Sequence, residues 1–195
     1  AYAISKLEWI RRHQDSLVNQ ARESPREFVG RESHFLWGRR YLLSIEHRDA
    51  KPLVTIDHKR ITLTVRPGST KAKREQVIHE WHKGLLHEAI PPLIEKWERR
   101  LGVRVAAYFL QRMKTRWGSC NPGSGHIRLN TELVKKPKDL LDYVVLHEMA
   151  HLIEPTHSDR FVAILQKHFP SWREARLALN ELPLGAEDWN RGELV

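Results

Sequence analysis

Three histidines and two glutamates crowd into the eleven residues from His147 to His157, which read H-E-M-A-H-L-I-E-P-T-H. Neutral imidazole is the commonest side-chain ligand for a divalent transition metal, and a carboxylate beside such an ion can take a proton from water. On a helix His147 and His151 are four residues apart, so both rings project from one face and can meet a single ion. Glu148 lies one position further round. From there it can hold and deprotonate a water without ligating the metal itself. A tetrahedral zinc with one open position needs three protein ligands. His157 is the nearest candidate, because the chain must leave the helix at Pro155 and can turn back; Glu154, three residues after His151, competes for the place. The chemistry to expect is zinc-dependent hydrolysis, with Zn2+ as cofactor, His147, His151 and His157 as its ligands and Glu148 as general base.

The element that presents these residues is a helix opening near Pro137. Leu141, Val144, Val145, Met149, Leu152 and Ile153 recur at spacings that make a broad apolar stripe. Pro137 is tolerated in a first turn, and Pro155 predicts a stop near Ile153 or Glu154. Ahead of it, Val103 to Leu110 reads as a strand. Lys114-Thr115-Arg116-Trp117-Gly118-Ser119-Cys120 then turns through Asn121-Pro122-Gly123-Ser124-Gly125 into a second short strand, His126 to Asn130. This pair precedes the metal helix and should form the facing wall of the site. His126 to Asn130 is expected to be an edge strand that pairs with an extended peptide, and Arg116, Trp117, His126, Arg128 and Asn130 are the candidate substrate contacts. Cys120 lacks a Cys-His-acid set and reads as a small half-buried residue.

The remaining chain supplies the scaffold. Tyr2 to Ala21 has the apolar spacing of an amphipathic helix, and Ser24 to Gly38 reads as a loop. Strands are expected around Arg40 to Glu46, Leu53 to Asp57 and Arg60 to Val65, in an antiparallel arrangement closed by Arg66-Pro67-Gly68-Ser69. A long helix from about Lys71 to Arg100 should follow, with a break near Pro91-Pro92, and its His79, His82 and His87 read as surface residues. After His157 a helix through His168, capped by Ser158, and another from Trp172 to Leu179 complete the pattern. The expected class is α+β, a small antiparallel sheet packed against the H-E-x-x-H helix with a long helix before it. The organisation is an N-terminal helix and linker over residues 1–34, a catalytic domain over 35–180 and a tail over 181–195.

A chain of 195 residues, 41% hydrophobic and 29% charged, has the composition of a globular protein with a real core. It has no apolar run long enough for a membrane span. One cysteine makes no internal disulfide, which fits a reducing, cytoplasmic setting. The net charge of +9 is unevenly placed: Arg104 to Lys138 holds eight basic residues and one acidic. Such a surface can steer an anionic nucleotide or nucleic acid, or simply keep the protein in solution.

The runs K-T-R-W-G-S-C (Lys114 to Cys120), I-R-L-N (Ile127 to Asn130), L-D-Y-V-V-L-H-E-M-A-H-L (Leu141 to Leu152) and H-S-D-R-F (His157 to Phe161) together resemble the YgjP-like metal-dependent hydrolase family, relatives of the zincin metallopeptidases. Gly38 to Leu43 and Val65 to Gly68 resemble it as well. The resemblance implies a zincin-like catalytic half with His147, His151 and His157 on zinc and Glu148 as base. The spacing is also similar to that of metzincins, but Glu154 stands where their pattern has glycine. Three activities follow as expectations. The first is peptide-bond hydrolysis of a peptide or protein substrate. The second is hydrolysis of a nucleoside triphosphate, with Arg112, Lys114, Arg116 and Arg128 steering phosphates. The third is a metal-stabilised nucleic-acid-associated module.

Overall fold

In the computed structural model residues 26–181 are described, so the helix expected over Tyr2 to Ala21 and the tail beyond Glu181 lie outside the described residues. The chain first makes β1 (Ser33–Leu36), β2 (Arg39–His47), β3 (Leu53–Ile56) and β4 (Arg60–Val65), then the long helix α1 (Lys71–Leu101). It continues as β5 (Ala107–Gln111), β6 (Gly118–Asn121), β7 (His126–Asn130) and a 3-10 turn (Thr131–Lys135). The helices α2 (Lys138–Ala150), α3 (Asp159–His168) and α4 (Trp172–Glu181) end the described chain. The architecture is the expected α+β, with a small sheet set against α2.

β1 emerges from the segment that reads as a loop. Trp37 and Gly38 both take positive φ, 49° and 78°, which is the backbone of a tight two-residue hairpin turn and allows Ser33–Leu36 to fold back on β2. The turn is docked rather than free: the Trp37 and Gly38 amides donate to the carbonyls of Val134 and Lys135 at 2.8 and 3.1 Å. A Cβ on Gly38 would meet Pro137 Cγ at 2.8 Å, so this glycine lets the hairpin press against the start of α2.

Neither sheet is purely antiparallel. The first runs β1-β2-β4-β3, with β4 parallel to β2 and antiparallel to β3. The strand with the strictest apolar alternation, Ile61, Leu63 and Val65, takes a central place and is at most 1% exposed there. The second runs β5-β7-β6, with β6 and β7 an antiparallel hairpin and β5 parallel to β7. β7 is therefore the middle strand, hydrogen-bonded on both sides. It has no edge to offer a peptide, and among the described residues the free edge nearest α2 belongs to β6.

α1 runs unbroken for 31 residues through Pro91 and Pro92. Those prolines remove the N–H groups that would bond the carbonyls of His87 and Glu88; all four residues are exposed, so water can take those bonds. Thr70 caps the start by accepting from the Lys73 amide at 3.2 Å, and Gly102, at φ 68°, closes the end. His87 is exposed, but His82 is buried, which departs from the surface reading: a helix this long packs on both sheets in turn, and position 82 faces inward beneath β1. The helix grips α2 through Asp142, which accepts from Trp97 Nε1 at 2.7 Å and Lys96 Nζ at 2.5 Å. Among the described residues no helix is long and apolar enough to cross a membrane.

Candidate metal centre

α2 is apolar on most of its circumference, and Leu140, Leu141, Val144, Val145, Leu146 and Met149 are each at most 3% exposed. Burial on so many sides fixes the helix in rotation, which leaves a narrow face carrying Tyr143, His147 and Glu148 toward a cavity of about 570 Å³. The regular helix ends at Ala150, slightly earlier than expected. His151 is its cap, and turn bonds from the Leu152 and Ile153 amides back to Met149 and Ala150 carry the chain to Pro155. Ser158 then caps α3 by accepting from the Phe161 amide at 3.4 Å. Because the cap is the residue after His157, the imidazole of His157 remains free to face the helix.

The three histidines converge. Their candidate ligand atoms all lie within 4.8 Å of one another, and His147 Nε2 is 3.2 Å from His157 Nε2. Two nitrogens at zinc-ligand distance in a tetrahedral site stand about 3.3 Å apart, so this spacing fits a bound ion. The rings are held in the required sense: Nδ1 of His151 donates to the Glu154 carbonyl at 3.1 Å, which leaves its Nε2 lone pair available, and Tyr143 Oη lies 3.5 Å from His147 Nδ1. Phe161 forms the floor. Its ring stacks on His151 at 4.5 Å and meets His147 and His157 edge-on at 5.0 and 4.9 Å. Burial, reinforced by the neighbouring imidazoles, drives the His147 pKa down to about 3, so the ring is neutral at physiological pH as ligation requires. Glu154 is turned elsewhere: its carboxylate accepts from the Thr156 amide and hydroxyl at 3.3 and 2.8 Å, which lowers its pKa and leaves His157 as the third member of the cluster.

Glu148 is 6% exposed, and burial pushes its carboxyl up to about 8, against an opposing pull from the Arg116 guanidinium. It packs on the first residue of β6. A Cβ at Gly118 would stand 2.5 Å from Glu148 Oε1, so only glycine admits the carboxylate at this point. Cys120, two residues on, has its thiol pushed up to about 11, first by burial and then by Glu148; it is no nucleophile.

The candidate substrate contacts divide. Arg116 and Trp117 line the cavity with Glu148, His147 and His157. Asn130 does not reach it. It is 0% exposed, donates to the carbonyls of Met113 and Arg116 at 2.9 and 2.7 Å and accepts from the Glu132 amide at 3.1 Å, so it shapes the loop that delivers Arg116. His126 and Arg128 sit on β7 against Phe109, with the His126 ring 5.4 Å and the Arg128 guanidinium 5.9 Å from its centroid. Gly118, Tyr143, Phe161 and Arg176 are among the lining residues that the sequence reading does not nominate. Tyr143 could have been found, since it precedes His147 by one helical turn; Arg176 carries no local signal at all.

The H-E-x-x-H helix laid against a small sheet, with a third histidine returned to it, gathers three imidazoles that could hold one metal ion. The sequence agrees: the YgjP-like, metallopeptidase domain matches residues 1–182, and the chain belongs to the YgjP-like family of metal-dependent peptidases. Among solved structures it is similar to the metallopeptidase zymogen abylysin of Pyrococcus abyssi, at 24% identity over 45% of this chain and 89% of that one, with a TM-score of 0.42. It is similar also to the zymogen jannalysin of Methanocaldococcus jannaschii, at 23% identity over 46% of this chain and 92% of that one, with a TM-score of 0.41. No match was found among curated proteins.

Proposed function

We propose that the protein is a zinc-dependent peptidase in which His147, His151 and His157 hold the ion and Glu148 is the general base. The observation that carries this reading is the convergence of three imidazoles beside a buried carboxylate at the floor of an open cavity. When bound, zinc supplies Lewis acidity, polarising a scissile carbonyl and acidifying water. The protein's own residues do the rest. Glu148, which the charge of a bound cation beside it would hold ionised against its burial, would take the proton from the attacking water and return it to the departing amine. Arg116, on the rim, is placed to favour the negative charge that develops on the carbonyl oxygen. Tyr143 and the Glu154 carbonyl keep two of the rings oriented.

The free edge of β6, running beside Glu148 from Gly118, is a suitable track for an extended substrate backbone, since backbone groups on an unpaired edge accept an added strand. Peptide is favoured over nucleoside triphosphate as substrate. Of the four basic residues that could steer phosphates, only Arg116 lines the cavity, and Arg112 is paired with Glu75 at 3.3 Å. The test is Glu148→Gln with a peptide library and elemental analysis. The variant is expected to keep one equivalent of zinc and lose at least about a hundredfold in kcat/KM. Undiminished hydrolysis would sink the mechanism, and hydrolysis of nucleotides in place of peptides would sink the substrate.

A further inference from the structure

The cavity continues beyond the histidines between α2, α3 and α4, and its chemistry changes there. This side of the lining is aliphatic and aromatic, with Val162, Leu165, Trp172 and Leu179, and Arg176 lines it among them. Trp172, Arg176 and Asn180 follow one another at four-residue spacing, so a single face of α4 lines this part of the cavity. Arg176 is exposed, and among the described residues no carboxylate pairs with it. Among the described residues the only acidic side chain lining the cavity is Glu148, the proposed base.

We propose that Arg176 is a specificity determinant that reads a carboxylate, so that the enzyme selects peptides carrying an acidic group close to the scissile bond. The proposal rests on the peptidase reading of the same site. Apolar walls with a cation among them suit a short hydrocarbon stem ending in a carboxylate. Guanidinium is the cation best matched to that group, because its planar fork can donate two parallel hydrogen bonds. Asn180, one turn on, adds an amide donor on the same face. A lysine in the substrate would meet like charge at Arg176. The carboxylate can belong to a glutamate or aspartate side chain or to the free C-terminus of a short substrate, and the guanidinium reads the same group in each.

The test uses one peptide scaffold with Glu, Gln or Lys at each position flanking the cleaved bond, each with a free and an amidated C-terminus. The zinc-loaded enzyme gives kcat/KM; Glu148→Gln gives binding, read by tryptophan fluorescence because Trp117 and Trp172 line the cavity. The carboxylate-bearing peptide is expected to exceed its neutral counterpart by about tenfold or more, the range of a charge-assisted hydrogen bond. Arg176→Ala should bring that ratio near one, Arg176→Lys should keep part of it, and Arg176→Glu should shift preference toward the lysine peptide. Preference that follows the side chain in amidated peptides assigns the acidic side chain; preference that disappears on amidation assigns the C-terminus. An unchanged ratio in Arg176→Ala, or a wild-type preference for neutral peptides, overturns the proposal. If no peptide is cleaved but Glu148→Gln binds the carboxylate peptides in an Arg176-dependent way, the pocket stands and the peptidase reading falls.

Discussion

Replacing Gly118 by alanine sets a methyl carbon 2.5 Å from Oε1 of Glu148, 2.7 Å from its Cγ and 2.8 Å from its Cδ. Ordinary carbon contacts begin near 3.4 Å, so about 1 Å of movement is needed. The backbone cannot supply it on either side. Gly118 is in register with Leu129, which is 0% exposed, and Glu148 stands on a helix whose Leu146, Met149 and Ala150 are also 0% exposed. The movement must come from the Glu148 torsions, at about 0.5 to 1.5 kcal/mol for leaving a rotamer minimum. Global stability should therefore fall only slightly. Turnover is more sensitive, since misplacing a reacting group by about 1 Å costs on the order of a hundredfold. The histidines are untouched, so zinc content should remain at one equivalent. The measurement is kcat/KM on a cleaved peptide, with elemental analysis and a melting curve on the same preparation. Wild-type turnover in Gly118→Ala would refute the close packing of Glu148 on β6 as a functional constraint. Loss of zinc would refute the separation of base from ligands.

Three further outcomes are expected. His82 is buried near His34, His79 and Lys135, its Nε2 has no partner, and burial lowers its pKa to about 3. A histidine depressed in the fold binds its proton only on unfolding, so stability is fully present above the unfolded pKa near 6.5 and is lost as pH falls toward 3; the loss between pH 7 and pH 5 is about 2 kcal/mol for this group. Chemical denaturation should show His82→Leu losing less over that interval, and parallel curves for variant and wild type would contradict the assignment. Asp142→Ala strips the acceptor from Trp97 Nε1, whose residue is 1% exposed, and should cost about 1 to 3 kcal/mol, whereas Asp142→Asn keeps that acceptor and should cost less; equal urea midpoints for the two variants would count against it. Chelation should abolish peptide hydrolysis and lower Tm. Free zinc at a hundred times its Kd stabilises by about 2.7 kcal/mol, or roughly 5 to 10 °C for a chain of this size. A Tm insensitive to chelator, or a His157→Ala variant with an undiminished zinc response, would remove His157 from the ligand set.

What the amino-acid sequence determined by itself is what depends on local geometry. His147 and His151 share a face because a helix repeats every 3.6 residues, Pro155 disfavours helical backbone at the residue before it, and Ser158 caps the next helix because its hydroxyl can reach an amide three residues on. The α+β class followed from the same periodicities. The long-range partners were decided only by tertiary structure. Which of β6 and β7 lies at the edge depends on β5, which joins β7 in parallel after a connection that no local pattern constrains. Asn130 looked like a substrate contact because its amide is polar and near the motif, yet the Met113 to Arg116 loop saturates it. His82 reads as a surface residue because the spacings of His79, His82 and His87 do not put all three on one helix face, yet the burial of a helix face is set by the sheets that cover it. The His147 to His157 run announces its metal chemistry alone. Gly118, Phe161 and Arg176 complete the site only in space, because contacts across a cavity join residues whose separation along the chain leaves no periodic trace.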